Sequence, residues 1–292
     1  IGLIPQLSSD QVPTTGGIGL LCHNKPRSAL SEAFKSTRTN LESLRRNRKA
    51  RVLLVTSAKP DDGKSTTASN LAITLAHTGR RILLADADRR RPSLGTMYDL
   101  PRDSGLSDAL ERGVPVKQLV QPTLVDNLDL LTAGPKPTAP DELFASHRLG
   151  EVLDEVRDGY DTILIDSSPL LAVTDPSIIA AVVDGVLLVV RVGSLRRYEI
   201  EEMMALLKAQ NVVALGVVIN DITHEQLGYA SRYGYGYGYG YGYGKVYGAP
   251  DEPEGSENAE ADRRVKSPRG VNGRVELGRG PSEPANTNGT SR

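Results

Sequence analysis

The sequence predicts an α/β fold in which a mostly parallel β-sheet carries helices on both faces. The first observation is a series of short, continuous apolar runs rich in Val, Ile and Leu, which is typical of strands buried on both faces. These runs are 52–57, 82–86, 128–134, 162–166, 185–190 and 214–220. The second observation is helical spacing in the segments between them, which include 64–78, 141–157 and 195–210. Strands that alternate with helices indicate parallel pairing and a sheet covered on both sides.

Composition narrows the functional classes. The 292 residues are enough for one large or two small domains, and the net charge of -1 gives no overall attraction for nucleic acid, so we expect no nucleic-acid partner. The single cysteine, Cys22, excludes an intrachain disulfide framework and fits a reducing compartment. No apolar run approaches the roughly 18 residues of a membrane span, and no secretory signal is visible. Because the chain begins with Ile1, we expect a processed product or a piece of a longer protein.

The first 49 residues divide into two parts. Residues 1–27 are rich in Pro, Gly and Ser without a sustained period, and we interpret them as a linker. Residues 28–49 have apolar positions at helical spacing, and Ser28 or Ser31 is the predicted N-cap.

On this predicted helix, Glu32, Lys35 and Arg38 recur every three residues and form one charged stripe. Basic residues then cluster within 45–51. A solvated helix face explains both features without any function. Contact of the cluster with anionic lipid head groups is the alternative.

One stretch follows the order strand, loop, helix, and its loop ends in Gly63-Lys64-Ser65-Thr66. This order characterises the phosphate-binding P-loop motif G-x-x-x-x-G-K-[ST], although Ala58 replaces its first glycine. A Gly-Lys turn before a surface helix is the alternative.

If the motif binds nucleotide, its residues are expected to contact the phosphates and Mg²⁺ in different ways. Backbone N–H groups from Asp62 to Ser65 surround a phosphate. Lys64 neutralises the β- and γ-phosphates, and the Ser65 hydroxyl binds Mg²⁺. The predicted nucleotide contacts of the loop are Asp62, Gly63, Lys64, Ser65 and Thr66.

Carboxylates end two other predicted strands. Asp86 closes the run 82–86, Asp88 follows it two residues later, and Asp166 closes the run 162–166. The carboxyl ends of parallel strands meet at one edge of the sheet, where ligands bind. Any one of these residues is equally suited to cap the following helix. Three of them beside a P-loop strand predict a single site for ATP and Mg²⁺, with Ser65, Asp86 and Asp166 as metal ligands.

The C-terminal part changes character. Eight of the eleven tyrosines lie within 229–247, where Tyr alternates with Gly. Glycine weakens a strand, and a single unpaired strand is unstable, so we predict a disordered, low-complexity tail. Residues 249–292 are rich in Pro, Gly, Asn and charge and are also predicted to be disordered.

Over about residues 28–247 the chain resembles the bacterial tyrosine kinases of capsule and exopolysaccharide synthesis. The resemblance rests on the P-loop stretch 56–72, the second aspartate motif 83–92 and the Walker B stretch 163–169. Shorter similarities occur at 105–110 and 140–146.

The resemblance implies an ATP- and Mg²⁺-dependent protein-tyrosine kinase with a P-loop NTPase fold. By this resemblance Lys64, Asp86 and Asp88 are catalytic, with Asp86 accepting or orienting the tyrosine proton, and Asn220 contacts the nucleotide; a turn residue at a strand end is the alternative for Asn220. Arg191 ends its own predicted strand and is expected to line the same pocket. The implied phosphoacceptors are Tyr233, Tyr235, Tyr237, Tyr239, Tyr241, Tyr243 and Tyr247.

The resemblance also implies partners. Glu32, Lys35 and Arg38 are similar to the family's E-x-x-R-x-x-R oligomerisation stripe, with Lys where the first Arg stands. It implies a ring of copies that phosphorylate each other's tails, an N-terminal or separate membrane activator, a tyrosine phosphatase, and a location at the cytoplasmic face of the bacterial inner membrane.

The expected domain organisation follows from these features. It consists of a juxtamembrane-like linker (1–27), a P-loop kinase domain (28–228), a phosphoacceptor tail (229–247) and a disordered end (248–292).

Two other classes stay open at this point. One is an ATPase switch like the Min and Par proteins, because Lys59 stands where their loop carries an additional lysine, although Pro60-Asp61-Asp62 interrupts their usual glycines. The other is a nucleotide-binding scaffold without catalysis. Phosphotyrosine after incubation with Mg-ATP separates the kinase from both.

Overall fold

The computed structural model describes residues 1–7, 17–136, 144, 148–223 and 225–227. Within these residues, eight strands form one sheet in the order β1-β8-β7-β2-β6-β3-β5-β4. The strands are β1 Gly2–Pro5, β2 Val52–Ser57, β3 Ile82–Asp86, β4 Gln121–Pro122, β5 Leu128–Leu131, β6 Thr162–Asp166, β7 Gly185–Arg191 and β8 Ala214–Ile222. Neighbouring strands run parallel, except that β4 pairs antiparallel with β5 at one edge.

The helices complete the alternation predicted from sequence. They are α1 Leu21–Asn24, α2 Ala29–Arg48, α3 Lys64–Ala76, α4 Leu94–Met97, α5 Leu106–Arg112, α6 Arg148–Arg157, α7 Asp175–Ala180 and α8 Arg197–Ala209. Two short 3₁₀ turns, Gly17–Leu20 and Val116–Gln118, join them.

The hydrophobic core lies on both faces of the sheet, as the continuous apolar strands require. Every residue of β2, β3 and β6 is buried. On one face, α2 and α3 pack through side chains such as Phe34 and Leu71. On the other face, α6 and α8 pack through side chains such as Leu153 and Leu207. The predicted α/β class with a two-sided cover is confirmed.

Helix α2 shows how local sequence sets its ends. The Ser28 Oγ accepts a hydrogen bond from the Ser31 amide at 3.2 Å, so Ser28 is the N-cap. The helix ends where Lys49 adopts the left-handed conformation with φ 54°.

The linker interpretation is wrong for part of residues 1–27. Strand β1 pairs with β8, and the amino group of Ile1 donates to the Val217 carbonyl at 2.6 Å. Leu20 and Leu21 are buried in the core beside α3. A four-residue edge strand carries too little periodicity to be recognised alone, and its pairing depends on β8, more than 200 residues later. Residues 8–16 lie outside the described part.

One strand boundary differs from expectation for a local reason. The run 128–134 yields a strand only to Leu131, because the carbonyls of Thr132 and Ala133 accept the amides of Leu106 and Ser107 at the start of α5. Within the described residues, helix α6 covers Arg148–Arg157, the second part of the predicted helical segment 141–157; of residues 141–147 only Phe144 is described, and it lies in a turn.

None of the helices in the described ranges is long and apolar enough to cross a membrane. The predicted phosphoacceptor tyrosines and the predicted disordered segments 229–247 and 248–292 lie outside these ranges.

Candidate active site

The sheet order brings the three predicted site strands together. Strand β6 lies between β2 and β3 and is parallel to both. Their carboxyl ends therefore meet at one edge, where Asp86 and Asp166 are register partners on adjacent strands. From the first residue of α3, the Lys64 Nζ reaches the Asp88 Oδ2 at 3.0 Å. The structure thus brings together Lys64 and all three predicted carboxylates.

The P-loop has a backbone conformation that its sequence explains. Gly63 has φ +90°, in the left-handed region that favours glycine, and a Cβ added there would lie 2.2 Å from the Asn220 Nδ2. Helix α3 starts at the next residue without a side-chain cap, so its first amides have no partner within the helix. Ala58, which replaces the motif's first glycine, is buried and does not have a positive φ. Alanine is therefore compatible with that position.

Asp62 joins the P-loop to the neighbouring strand ends. Its side chain accepts a hydrogen bond from the Lys59 amide at 3.1 Å, and its carbonyl accepts one from the Asn220 Nδ2 at 3.0 Å. Burial raises the pKa of Asp62, although hydrogen bonds from Ser194 and from the amides of Lys59 and Arg191 oppose the rise. The loop is therefore fixed to β8 and to the turn after β7.

Asp86 organises the loop that follows β3. Its carboxylate accepts the amides of Asp88 at 3.1 Å and of Ser93 and Leu94 at 3.0 Å. Burial raises the pKa of Asp86 to about 6, and these hydrogen bonds limit the rise. A carboxyl group with a pKa close to neutrality is suited to accept a proton under physiological conditions.

Asp88 has the opposite electrostatics. Burial acts to raise its pKa, but the Lys64 ammonium and several hydrogen bonds outweigh burial and lower the pKa below the ordinary value. The Ser168 Oγ donates to the Asp88 Oδ1 at 2.8 Å, a contact that the sequence did not reveal. Asp88 is consequently ionised, and its carboxylate holds the Lys64 ammonium beside the P-loop.

Asp166 is fully buried, and neither of its carboxylate oxygens has a hydrogen-bond partner. Burial and the nearby Asp86 raise the pKa of Asp166 to about 8. Lys64 and Ser65 oppose this rise, although the Ser65 hydroxyl lies outside hydrogen-bonding geometry to either oxygen. Such an unpartnered carboxylate beside a P-loop serine fits a hard divalent cation. No cluster of three His, Cys, Asp or Glu ligands occurs in the described ranges, but a site shared with Ser65 and a nucleotide does not require one.

Other predicted contacts lie at the periphery. Asn220 supports the P-loop through Asp62, and Arg191 pairs with Asp221 at 2.6 Å while half-exposed.

On α2, the predicted oligomerisation stripe makes contacts within the chain. The Lys35 Nζ contacts Glu32 at 2.7 Å, and the Arg38 guanidinium donates to the Thr74 carbonyl at 3.0 Å. All three side chains of the stripe therefore already make contacts within their own copy.

Lys59, which supports the ATPase-switch alternative, is directed to α8. Its Nζ contacts the Glu199 carboxylate at 2.7 Å and donates to the Ser194 carbonyl at 2.9 Å. These contacts leave Lys64 as the lysine that faces the site carboxylates.

Sequence reasoning missed a buried ion pair beside this site. The Arg89 guanidinium, next in sequence to Asp88, donates to the Asp175 Oδ2 at 2.7 Å and lies 5.1 Å from the ring centroid of Phe144. Both charged side chains are at least 94% buried. The pair connects the β3 loop to the start of α7. The local sequence gave no sign of it, because the two residues are 86 positions apart.

We expect Arg89→Met to lower the free energy of unfolding by about 3–5 kcal/mol, because Asp175 would remain buried without a counter-charge. Urea denaturation checks this value. Arg112→Met is the matched control, since Arg112 pairs with Asp108 but is 68% exposed, and we expect a change below about 1 kcal/mol. Combining Arg89→Met with Asp175→Leu should recover most of the loss. An equal loss in the double variant would contradict the proposed importance of the ion pair.

Comparison with known proteins agrees with this geometry. Residues 50–214 match the AAA domain family. The chain is 35% identical over 201 residues to the putative tyrosine-protein kinase CapB of Staphylococcus aureus, which covers 69% of this chain and 88% of CapB. It is 36% identical over 216 residues to the tyrosine-protein kinase YwqD of Bacillus subtilis, covering 74% of this chain and 90% of YwqD. The solved kinase domain of the Escherichia coli tyrosine kinase ETK superposes with a TM-score of 0.70 at 27% identity, over 76% of this chain and 90% of that domain.

Proposed function

The chain belongs to the bacterial tyrosine-protein kinases, and from this premise we propose how its active site transfers the γ-phosphoryl group of ATP to protein tyrosine. The observation that carries the proposal is the convergence of Lys64, Asp88 and the unpartnered Asp166 at the edge where the P-loop ends. Phosphoryl transfer depends mainly on positioning and charge neutralisation, which such a site supplies.

We assign the triphosphate to the first amides of α3, from Gly63 to Thr66, and to the Lys64 ammonium. Asp88 holds that ammonium in place, and Asp62 with Asn220 holds the loop. We further propose that Ser65, Asp86 and Asp166 bind Mg²⁺, directly or through water. When bound, the cation neutralises charge on the β- and γ-phosphates. Arg191 and Asn220 are proposed to line the nucleotide pocket at its outer rim.

We propose that Asp86 accepts or orients the proton of the incoming tyrosine hydroxyl. In the unliganded site burial raises the pKa of Asp86 to about 6, so the group is mostly ionised at neutral pH and available to orient or accept a proton. A free tyrosine has a pKa of about 10, so a positioned base lowers the barrier to attack.

The proposed acceptors are the tail tyrosines Tyr233, Tyr235, Tyr237, Tyr239, Tyr241, Tyr243 and Tyr247. They follow the catalytic part directly, and tethering raises their local concentration to about mM. Each phosphate adds about -1.5 to -2 charges, so multiple phosphorylation would make the tails repel each other. We propose that copies assemble through the Glu32, Lys35 and Arg38 stripe, phosphorylate each other's tails and separate as charge accumulates.

The wider setting is also a proposal. It comprises control of exopolysaccharide or capsule synthesis, a membrane activator either fused upstream or separate, a phosphatase that resets the tail, and the cytoplasmic face of the inner membrane. The proposed division of the chain assigns 28–228 to catalysis and 229–247 to phosphoacceptors. Residues 1–5 belong with the catalytic part by their pairing with β8.

A mixing experiment tests both the chemistry and its direction. Lys64→Met provides an inactive copy with an intact tail, and an otherwise unchanged copy with all eight tyrosines from 229 to 247 replaced by Phe provides an active copy without tail acceptors. We expect Mg-ATP to produce phosphotyrosine on the inactive copy only when the two are mixed, at a rate that rises with protein concentration.

The controls separate the alternatives. Phosphotyrosine in the wild-type chain at a rate independent of concentration would contradict transfer between copies. ATP hydrolysis without phosphotyrosine would instead support an ATPase switch, and nucleotide binding with neither would support a scaffold.

A further inference from the structure

Three tyrosines lie outside the tail, and their hydroxyl groups differ sharply. Tyr98 is 3% exposed, its hydroxyl lies 2.9 Å from the Ser69 Oγ, and burial raises its pKa. The Tyr160 hydroxyl donates to the Asp129 Oδ2 at 2.8 Å, and burial together with Asp129 raises its pKa. Tyr198 is 56% exposed and makes no hydrogen bond with the residues that the structure describes. Of these three side chains, Tyr198 is the most exposed and is the one whose hydroxyl makes no hydrogen bond with the described residues.

The position of Tyr198 places it at the active-site edge of the sheet. It is the second residue of α8, which begins a few residues after β7 ends at that edge. The next residue, Glu199, holds the P-loop residue Lys59 through an ion pair of 2.7 Å. Met203 and Leu207, the buried residues of α8, pack the other side of the helix into the core. Tyr198 therefore lies on the outward face of a helix that is held in place.

Charges of both signs surround Tyr198. Arg196 and Arg197 precede it, and the first turn of a 13-residue helix favours negative charge. Glu201, which pairs with Arg197 at 3.0 Å, and Glu202 lie three and four residues further along the same helix and oppose the phosphate. The Arg196 amide donates a hydrogen bond to Glu199, and the Arg196 guanidinium makes no ion pair with the residues that the structure describes.

We propose that Tyr198 is a phosphoacceptor in the body of the kinase, distinct from the tail cluster. The inference rests on the proposed kinase function. In the transfer, the Tyr198 Oη forms a bond to the γ-phosphorus of ATP while the bond from that phosphorus to the β–γ bridging oxygen breaks. ADP leaves with the bonding electron pair, and the phenolic proton passes to Asp86 of the copy that holds the ATP. We place this transfer between two copies, as for the tail tyrosines.

The test uses the full chain with all eight tyrosines from 229 to 247 replaced by Phe. After incubation with Mg-ATP, peptide mass spectrometry locates any remaining phosphate. We expect phosphate on the peptide that contains Tyr198 and a loss of that signal when Tyr198→Phe is added. Tyr160→Phe is the matched control and should retain the signal, because the Tyr160 hydroxyl is already bound to Asp129. In the wild-type background, Tyr198→Phe should leave the rate of tail phosphorylation unchanged.

The outcomes separate this inference from the function on which it rests. Phosphotyrosine on the wild-type tail together with an unmodified Tyr198 would overturn the inference and leave the kinase assignment intact. Absence of phosphotyrosine anywhere in the wild-type chain would overturn both. Phosphate on Tyr98 or Tyr160 at the level of Tyr198 would show that accessibility of the hydroxyl does not select the acceptor.

Discussion

Lys64→Met is expected to lower the rate of tyrosine phosphorylation by a factor of about 10² to 10³ or more, the effect of removing one preorganised charge from a transition state. The Lys64 ammonium is 12% exposed and lies 3.0 Å from the Asp88 Oδ2, at the start of the helix whose amides receive the phosphates. Methionine retains the length of the side chain and removes its charge. Phosphotyrosine formation in the wild-type and variant chains, measured at saturating Mg-ATP, gives the factor.

Lys59→Met is the matched control, because Lys59 lies in the same loop. Its ammonium is already bound to Glu199 and the Ser194 carbonyl, away from the site carboxylates. We expect a loss below about tenfold, since the pair is partly exposed and contributes at most about 1 kcal/mol. Equal losses in the two variants would indicate that Lys59 also reaches the phosphates, as in the ATPase-switch alternative.

The sequence was sufficient to predict the parts of this site that depend on local order. A strand that runs into Gly63-Lys64-Ser65 specifies the loop, and an apolar run that ends in Asp86 or Asp166 specifies a buried carboxylate at a strand end. Parallel pairing places the carboxyl ends of these strands at one edge of the sheet. The predicted fold class was therefore enough to predict that the P-loop and the carboxylates meet. The buried strands were also predictable from local order, because each is a continuous apolar run. The helices between them were predictable from helical spacing of apolar residues.

The sequence was insufficient where a contact joins distant parts of the chain. The Arg89 pair with Asp175, the Ser168 hydrogen bond to Asp88 and the Asn220 support of Asp62 each connect residues at least 80 positions apart. Strand β1 was missed for a related reason, because its stability comes from β8. These contacts position the predicted residues, and they are visible only once the chain is folded.

The sequence also failed to rank the three carboxylates, since their roles depend on burial and partners. Asp88 and Asp86 accept several hydrogen bonds each, whereas Asp166 accepts none within the described part. In the absence of Mg-ATP, Asp166 is therefore the carboxylate of this site whose ionisation is least favourable. It holds a proton until the pH approaches 8, because burial and the neighbouring Asp86 raise its pKa.

Asp166→Asn is therefore expected to lower the rate of phosphorylation by about 10²-fold or more and to make the unliganded chain more stable at pH 8. The pKa of Asp166 rises from an ordinary 3.8 to about 8 on folding. Between these pH values the native state binds a proton that the unfolded state has lost, so stability falls as pH rises. Asparagine removes this dependence, and the gain at pH 8 is at most a few kcal/mol because a buried amide without partners remains.

Denaturant unfolding without Mg-ATP at pH 6 and at pH 8 isolates the Asp166 contribution. The pKa of Asp86 is raised only to about 6, so its own contribution is mostly complete at the lower pH. We expect wild-type stability to decrease from pH 6 to pH 8 and Asp166→Asn to reduce that decrease. Asp158→Asn, at a fully exposed carboxylate, should leave the decrease unchanged. If the free energy of unfolding of Asp166→Asn fell from pH 6 to pH 8 as much as that of the wild type, Asp166 would be ionised in the unliganded chain. That result would contradict the assignment of the unpartnered Asp166 oxygens to a cation site.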